Sequence, residues 1–456
     1  MKILHVSLGL PPFRSGGLTK YSVDLMLRQK KKNDVYLIYP GSFKVGGRTK
    51  VCENKSYFGI NVFEIINPLP VSLLGGINKP ELFVKDTSQK LYEDFLSELS
   101  PKIIHIHTLM GIHKEFFMAA KKLNIKMLFT THDYFGICPK VNLIDNTGDI
   151  CLNNDNGIKC ISCNIGAYSF PLLYLLQSKL YRKYKGNDFV KKIRKSRKGK
   201  SKCADKVQNK VEDLSLSSKY NKLRDYYFDI FNLIDFFHFN SEITEEVFKK
   251  YLKIEGKIIP ISHNDIYDNR KVKTYDVDSP LKISFLGPLD KYKGFPLLLS
   301  SVKTLLNNEN TNWILNVYGN NSEIELEKSH RNKIIFHGPY LHNELESIFN
   351  NTDVLVVPSV WKETFGFIGL EALSFGVPVM VSESVGFKDL ISNGETGIIF
   401  KPESAELAFH LEKIIKNRSI LKEFNHNICN TEFSFTLDKH EREINDFYND
   451  ILGVLV

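Results

Sequence analysis

The chain lacks any uninterrupted apolar run approaching the ~18 residues that a membrane-spanning helix needs. Its first residues, Met1 to Ser7, form an apolar strand-like run about half as long as a secretory core, with no small-residue cleavage site behind it. Cysteine is sparse, with seven in 456 residues, which argues against a disulfide scaffold. These absences lead to the expectation of a cytoplasmic protein. What is present is ordinary for a globular chain, at 43% hydrophobic and 25% charged residues. A length of 456 residues exceeds what one core usually supports, so two domains are expected.

The pattern along the chain alternates short apolar runs with helical periodicity. Residues 2–8, 35–39, 62–66, 103–107 and 126–131 read as strands, with helices at 19–31 and 88–99 between them. Residues 236–240 and 257–261 close this first series, and residues 265–280 read as a linker. A second series follows at 282–286, 313–318, 333–336, 354–357, 379–381 and 396–400. Such alternation predicts an α/β protein with parallel sheets flanked by helices. The expected division is 1–275, 276–432 and a terminal helix within 433–456, with an insertion over about 138–225 in the first domain.

The most informative segment is Pro358-Ser359-Val360-Trp361-Lys362-Glu363-Thr364-Phe365-Gly366-Phe367-Ile368-Gly369-Leu370-Glu371-Ala372. It follows the apolar strand 354–357 and opens a helix, expected over 366–375, that Gly376 and Pro378 should stop. One glutamate lies in the loop and the second lies eight residues on, inside the helix. A helix opening at the carboxyl end of a parallel strand directs its free N–H groups and positive dipole end toward the sheet's crevice. That arrangement suits a pyrophosphate with hydroxyl-bearing groups on either side.

The whole string resembles the E-x7-E signature of retaining nucleotide-sugar glycosyltransferases of family 4. The likeness continues through Gly376-Val377-Pro378-Val379 and Gly394-Glu395-Thr396-Gly397, and covers most of residues 281–402. It implies the GT-B fold class: two doubly wound Rossmann-like domains facing a central cleft, with the last helix, about 437–452, returning to the first domain. It further implies that Glu371 meets the ribose hydroxyls and Glu363 the hydroxyls of the sugar ring. The amides of Phe365 and Gly366, with Thr364 beside them, would lie near the diphosphate, and Gly338 and Tyr340 would border the nucleobase.

Two glycine loops belong to the same resemblance. Ser15-Gly16-Gly17-Leu18-Thr19 follows the first strand, where the family carries a G-G-x-G-x-Y loop lining the cleft. Gly16, Gly17 and Tyr21 are kept, while Thr19 stands where the third glycine would be. In the second domain, Gly287-Pro288-Leu289-Asp290-Lys291-Tyr292-Lys293-Gly294 stands where the family has an arginine followed by Lys-Gly. Lys293 and Gly294 match, but the arginine position is Pro288, which carries no charge. Lys291 lies near enough in sequence to compensate. Stabilising a departing diphosphate is the main electrostatic task of this chemistry, so a missing cation bears directly on activity.

Histidines stand at two strand ends, His105 and His107 on one strand and His132 after the next. Buried or surface histidines are the commoner outcome. The resemblance favours His132 as the residue beside the transferred sugar, aligning the acceptor. No histidine has to be a base, because the leaving phosphate can take the acceptor proton. No D-x-D pair occurs at a strand end where it could hold a divalent ion on the diphosphate, so no cofactor is expected for catalysis.

Cys138, Cys151, Cys160 and Cys163 put four of the seven cysteines within 26 residues, at C-x12-C-x8-C-x2-C spacing. The last pair has a spacing favoured by tetrahedral zinc, and the segment between is poor in apolar residues. A structural zinc is one expectation; an iron–sulfur cluster uses the same ligands, and unrelated reduced thiols are the plain alternative. Residues 179–202 then carry twelve Lys or Arg against one acid, Asp188, directly after the apolar Phe170-Pro171-Leu172-Leu173-Tyr174-Leu175-Leu176. A solvated charged insertion is the plain account. The pairing of apolar and basic stretches instead suits an anionic membrane surface, hence a possible peripheral site on its inner face. Nucleic acid is not expected as a partner: the cysteine spacing fits no finger with a recognition helix, and no stacking aromatic motif accompanies the charges.

The resemblance, with the residues that carry it, implies a retaining glycosyltransferase using a UDP- or GDP-sugar and a saccharide or lipid-linked acceptor, in cell-surface polysaccharide or glycolipid synthesis. The alternative is a protein of the same fold that binds a nucleotide sugar without turnover, which Pro288 motivates.

Overall fold

The computed structural model describes residues 1–44, 46–184, 214–307, 312–320 and 332–454. The chain forms two compact units, one of residues 1–240, 245–259 and 441–456, the other of residues 241–244 and 260–440. Each is an α/β layer structure.

The first unit holds β1 (Lys2–Val6), β2 (Asp34–Pro40), β3 (Lys50–Tyr57), β4 (Ile60–Ile66), β5 (Ile103–Ile106), β6 (Lys126–Thr130), β7 (Phe236–Phe239) and β8 (Gly256–Ile258). They form one sheet in the order β3-β4-β2-β1-β5-β6-β7-β8. The pairs are parallel except β3 with β4. Central strands of a sheet covered on both faces read as nearly continuous apolar runs, and Ile3, Leu4, Val6, Ile103, Ile104 and Ile106 are all fully buried. The antiparallel β3 is absent from the sequence expectation. Its residues are almost all exposed, so it carries no alternation to read.

The second unit holds β9 (Leu281–Leu286), β10 (Trp313–Tyr318), β11 (Ile334–Gly338), β12 (Val354–Val357), β13 (Val379–Ser382) and β14 (Gly397–Phe400). The order is β11-β10-β9-β12-β13-β14, parallel throughout. Leu298, Val302 and Leu305 from the helix Phe295–Asn307 pack with Leu411 and Ile414 from the helix Ser404–Lys416 against Trp313, Leu315 and Val356. The strand order reverses at β9, which has β10 on one side and β12 on the other. In open α/β sheets the crevice outside the carboxyl ends at such a reversal is where ligands bind.

Two expectations need correction. The first unit ends at residue 259, well before 275, because residues 260–275 are tied into the second unit. Asn425, fully buried, donates to the carbonyls of Lys271 and Gly376 at 3.0 and 2.7 Å and accepts the Lys273 amide at 2.9 Å. The Lys273 ammonium donates to the carbonyls of Phe349 and Thr352 at 2.5 and 2.7 Å. What reads as a linker is therefore a strap. At the other end, the helix Leu437–Leu452 joins the first unit from Glu441 onward, where Ile444 and Tyr448 are fully buried. Finally, the helix after β12 runs only over Phe367–Leu373, shorter than the expected 366–375. Within the insertion, helices occupy Ile158–Cys163, Phe170–Leu176, Lys179–Tyr184 and Leu214–Leu233. Most of the basic run expected over 179–202 lies outside the described residues.

Replacing Asn425 by alanine strands two carbonyls and one amide in a buried site. The expected loss is about 1–3 kcal/mol of stability, read as a lowered denaturant midpoint with unchanged slope.

Candidate functional site

Two loops at the reversal point of the second sheet build the site. The loop after β9 makes a short turn, Lys291–Lys293, and ends at Gly294 with φ +74°. A Cβ at Gly294 would stand 1.7 Å from the carbonyl oxygen of Pro358, so only glycine lets this turn lie against the chain leaving β12. That approach puts the Lys293 ammonium 2.6 Å from Glu363 Oε1. The other carboxylate oxygen, Oε2, accepts the Ser359 hydroxyl at 2.7 Å. The backbone of Glu363 is held as well, its amide donating to the Ser384 carbonyl at 2.9 Å and its carbonyl accepting from Gly386 at 2.9 Å.

Three residues on, Gly366 has φ +94°, and a Cβ there would stand 2.9 Å from Val385 and 3.6 Å from Glu363 Oε1. The bend starts the helix that carries Glu371. Glu371 Oε1 is 3.2 Å from His263 Nε2 and 3.6 Å from His342 Nδ1. The Asp265 amide donates to His263 Nδ1 at 3.3 Å, so Nε2 carries that ring's proton and donates to Glu371. His342 Nε2 in turn is 2.9 Å from Asp265 Oδ2.

Lys293, Ser359, Glu363, Gly366 and Glu371 line a cavity of about 260 Å³, bounded also by Gly287, Pro288 and Tyr340. Burial and the nearby Glu371 charge push the Tyr340 hydroxyl well above its usual range. Tyr292 is pushed up to about 12 by burial and by Asp290. The structure thus brings Lys293, Glu363, Gly366, Tyr340 and Glu371 together. It does not place Lys291, Gly338, Thr364 or Phe365 in the lining. Lys291 is exposed on its turn, and Gly338 ends β11 with φ +79°. Thr364 is buried and its carbonyl accepts the Ser241 hydroxyl at 2.7 Å, while Phe365 packs in the core against Phe367 and Phe387. His263, His342 and Ser359 were not expected at the site. The two histidines are far from Glu371 in sequence and carry no motif.

In the first unit, Gly16 caps the helix Gly17–Gln29 with φ +112° and both glycines are exposed. His132 is partly buried, 4.8 Å between ring centres from Tyr21, and its pKa is pushed down to about 3 by burial and by His238. His105 is a fully buried core residue, bonded to the Tyr448 hydroxyl at 2.5 Å and to Thr130 at 2.6 Å.

The four clustered cysteines are free thiols. Burial raises all four, Cys160 to about 12 and Cys163 to about 11, and at Cys151, Cys160 and Cys163 the charges of neighbouring cysteines, Cys138 among them, add to it. They therefore share one neighbourhood. Zinc–sulfur bonds of ~2.3 Å would require the sulfurs to be under ~4 Å apart. Among the described residues, the groups of three ligand atoms within 4.8 Å of one another are His5, His105 and His107, and His263, Asp265 and His342. The thiols are a suitable donor set but would have to draw closer around a metal.

Residues 268–430 match the family described as glycosyl transferases group 1. A 41.2 kDa protein of the cps region of Klebsiella pneumoniae, itself uncharacterised, is 32% identical over 125 residues, 27% of this chain and 34% of that protein. The capsular polysaccharide biosynthesis glycosyltransferase CapM of Staphylococcus aureus is 27% identical over 177 residues, 37% of this chain and 46% of CapM. The chain thus spans less than half the length of either relative. Among solved structures, sucrose-phosphate synthase from Thermosynechococcus elongatus aligns with a TM-score of 0.57 at 14% identity, covering 100% of both chains. HepE of Anabaena in complex with UDP aligns with a TM-score of 0.58 at 13% identity, covering 99% of this chain and 100% of HepE. At these identities the likeness establishes the fold, the GT-B class of two Rossmann-like domains.

Proposed function

We propose that this chain is a retaining glycosyltransferase that takes a sugar from a nucleoside diphosphate donor and passes it to a saccharide or lipid-linked acceptor. The observation that carries this is the cavity in which Lys293, Glu363 and Glu371 converge, inside the segment matching glycosyl transferases group 1. Glu371 keeps Oε2 for ribose hydroxyls while His263 holds Oε1. Lys293, with one proton on Glu363, has two left for the diphosphate. Glu363 is oriented by Ser359 and Lys293 toward the sugar ring, and the leaving phosphate takes the acceptor proton. The names of HepE, solved with UDP, and of CapM, from capsule synthesis, support a UDP-sugar and a cell-surface polysaccharide. In titrations with UDP- and GDP-sugars, Glu371→Ala should weaken the cognate donor by about 1.5–3 kcal/mol. Glu363→Ala should lower turnover more than affinity, because it orients the reacting ring. Undiminished affinity in Glu371→Ala sinks the ribose role. Donor binding with neither hydrolysis nor transfer would favour the non-catalytic reading that Pro288 motivates.

The four cysteines suit a structural metal, zinc or an iron–sulfur cluster, which would deprotonate thiols that burial otherwise keeps neutral. Purified protein should then hold about one equivalent of metal, and serine at any of the four should cost both metal and thermal stability. Metal-free protein with four alkylatable thiols counts against it.

A peripheral membrane site rests on the helix Phe170–Leu176 and the basic residues that follow. Part of that helix is already engaged, since Leu173 is buried and Tyr174 stacks on Phe43 at 5.0 Å, while Leu175 is exposed. Arg182 is spent on Glu64 at 2.8 Å. The attraction would therefore come from the other basic residues of 179–202, at roughly 1 kcal/mol for each at an anionic surface. Sedimentation with anionic liposomes should fall steeply with salt and vanish when 179–202 is deleted. Equal sedimentation with neutral and anionic liposomes removes the membrane site.

A further inference from the structure

Five of the six histidines of the first unit, His5, His105, His107, His132 and His238, are joined by hydrogen bonds into one largely buried series with a single direction. Glu441 sits at one end. Its carboxylate can only accept, so the Asn445 amide nitrogen faces it and the Asn445 oxygen faces the other way. That oxygen accepts from Gln29 Nε2 at 3.2 Å. Gln29 therefore turns its own oxygen to His5, which must donate from Nε2 at 2.9 Å. His5, its pKa pushed down to about 3 by burial, is neutral, so its Nδ1 accepts from His107 Nε2 at 3.0 Å. His107 is driven well below its usual range by burial and by the surrounding histidines, so its Nδ1 accepts in turn, from His132 Nε2 at 3.3 Å.

A second anchor fixes the same sense independently. The Ile259 carbonyl accepts from His238 Nε2 at 2.7 Å, which leaves His238 Nδ1 to accept the Thr130 hydroxyl at 2.9 Å. With its one proton given away, Thr130 accepts from His105 Nε2 at 2.6 Å, and His105 Nδ1 accepts the Tyr448 hydroxyl at 2.5 Å. The Tyr448 oxygen then accepts from Gln29 Nε2 at 3.3 Å, the same amide orientation that Glu441 demands. Both acceptor-only ends agree on every proton.

We propose that this one-way series positions His132 as its Nε2–H tautomer, so that its Nδ1 enters any contact, that with a saccharide hydroxyl bound by the first unit included, only as an acceptor. Gln29, His5 and His107 are then positioning residues for His132, although none of them needs to touch a substrate. The series is not a proton wire through the domain. The Gln29 amide cannot take up and pass on a proton, so any movement stops after His132, His107 and His5. Nor does the close set of His5, His105 and His107 suit a metal, since both nitrogens of each ring are engaged in the bonds just described.

The sugar-facing role rests on the proposed transferase function, but the tautomer can be read without any donor. Neutron diffraction from the deuterated full-length protein should show deuterium on Nε2 and none on Nδ1 in all five rings. Gln29→Leu removes the acceptor two rings away from His132. It should shift deuterium at His132 from Nε2 toward Nδ1, whereas Gln29→Glu, which keeps an acceptor for His5, should restore Nε2. Deuterium on His132 Nδ1 in the unaltered protein overturns the proposal. So does a His132 that stays on Nε2 in Gln29→Leu. The first measurement needs no variant, so a misfolded Gln29→Leu leaves it decisive. Failure of the transferase reading would show in the donor titrations instead.

Discussion

The contact of Gly294 with the Pro358 carbonyl governs the second unit's site. Two loops leave neighbouring strands of one sheet, and a side chain of any size between them would hold them apart. Once they touch, Lys293 and Glu363 fall into ion-pair distance with little of either exposed to solvent. A partly buried pair of this kind is weak as a source of stability, because desolvation offsets much of the attraction. Its value lies in geometry. Ser359, Ser384 and Gly386 then need only trim the position of a carboxylate that the backbone has already delivered.

Charge follows from that geometry. Among the described residues lining the cavity, Lys293 is balanced by Glu363, and Glu371 adds a further negative charge. Proline at 288 offers nothing to offset it. Behind the lining, His263 donates to Glu371 and His342 lies beside it, so the carboxylate is steadied by groups that the strand loop does not supply. The local polarity is thus set by residues remote in sequence from the glutamates.

Much of this was legible in the chain. Buried parallel strands announce themselves as short apolar runs, and those of both sheets lie within a few residues of their expected places. Lys293, Glu363 and Glu371 could be found because each sits at a fixed offset from a strand end. The exceptions have physical causes. β3 is solvated along its length and so has no hydrophobic period, and residues 265–280 read as a linker because the anchors of Lys271 and Lys273, Asn425 and the carbonyls of Phe349 and Thr352, are far away in sequence. His263, His342 and the Gln29–Tyr448 bonds escape for the same reason: a hydrogen bond across more than four hundred residues leaves no local pattern.

The two ends of the first sheet have a consequence of their own. Its outermost strands are β3, exposed and carrying Lys50, Glu53 and Lys55, and β8, only three residues long. An open sheet edge offers unpaired amides and carbonyls to any passing strand, and long, flat, apolar edges are those that recruit one. Here one edge is guarded by charge and the other by brevity. An eight-stranded sheet, which would otherwise be a template for growth, is thereby closed to further strands without being rolled into a barrel.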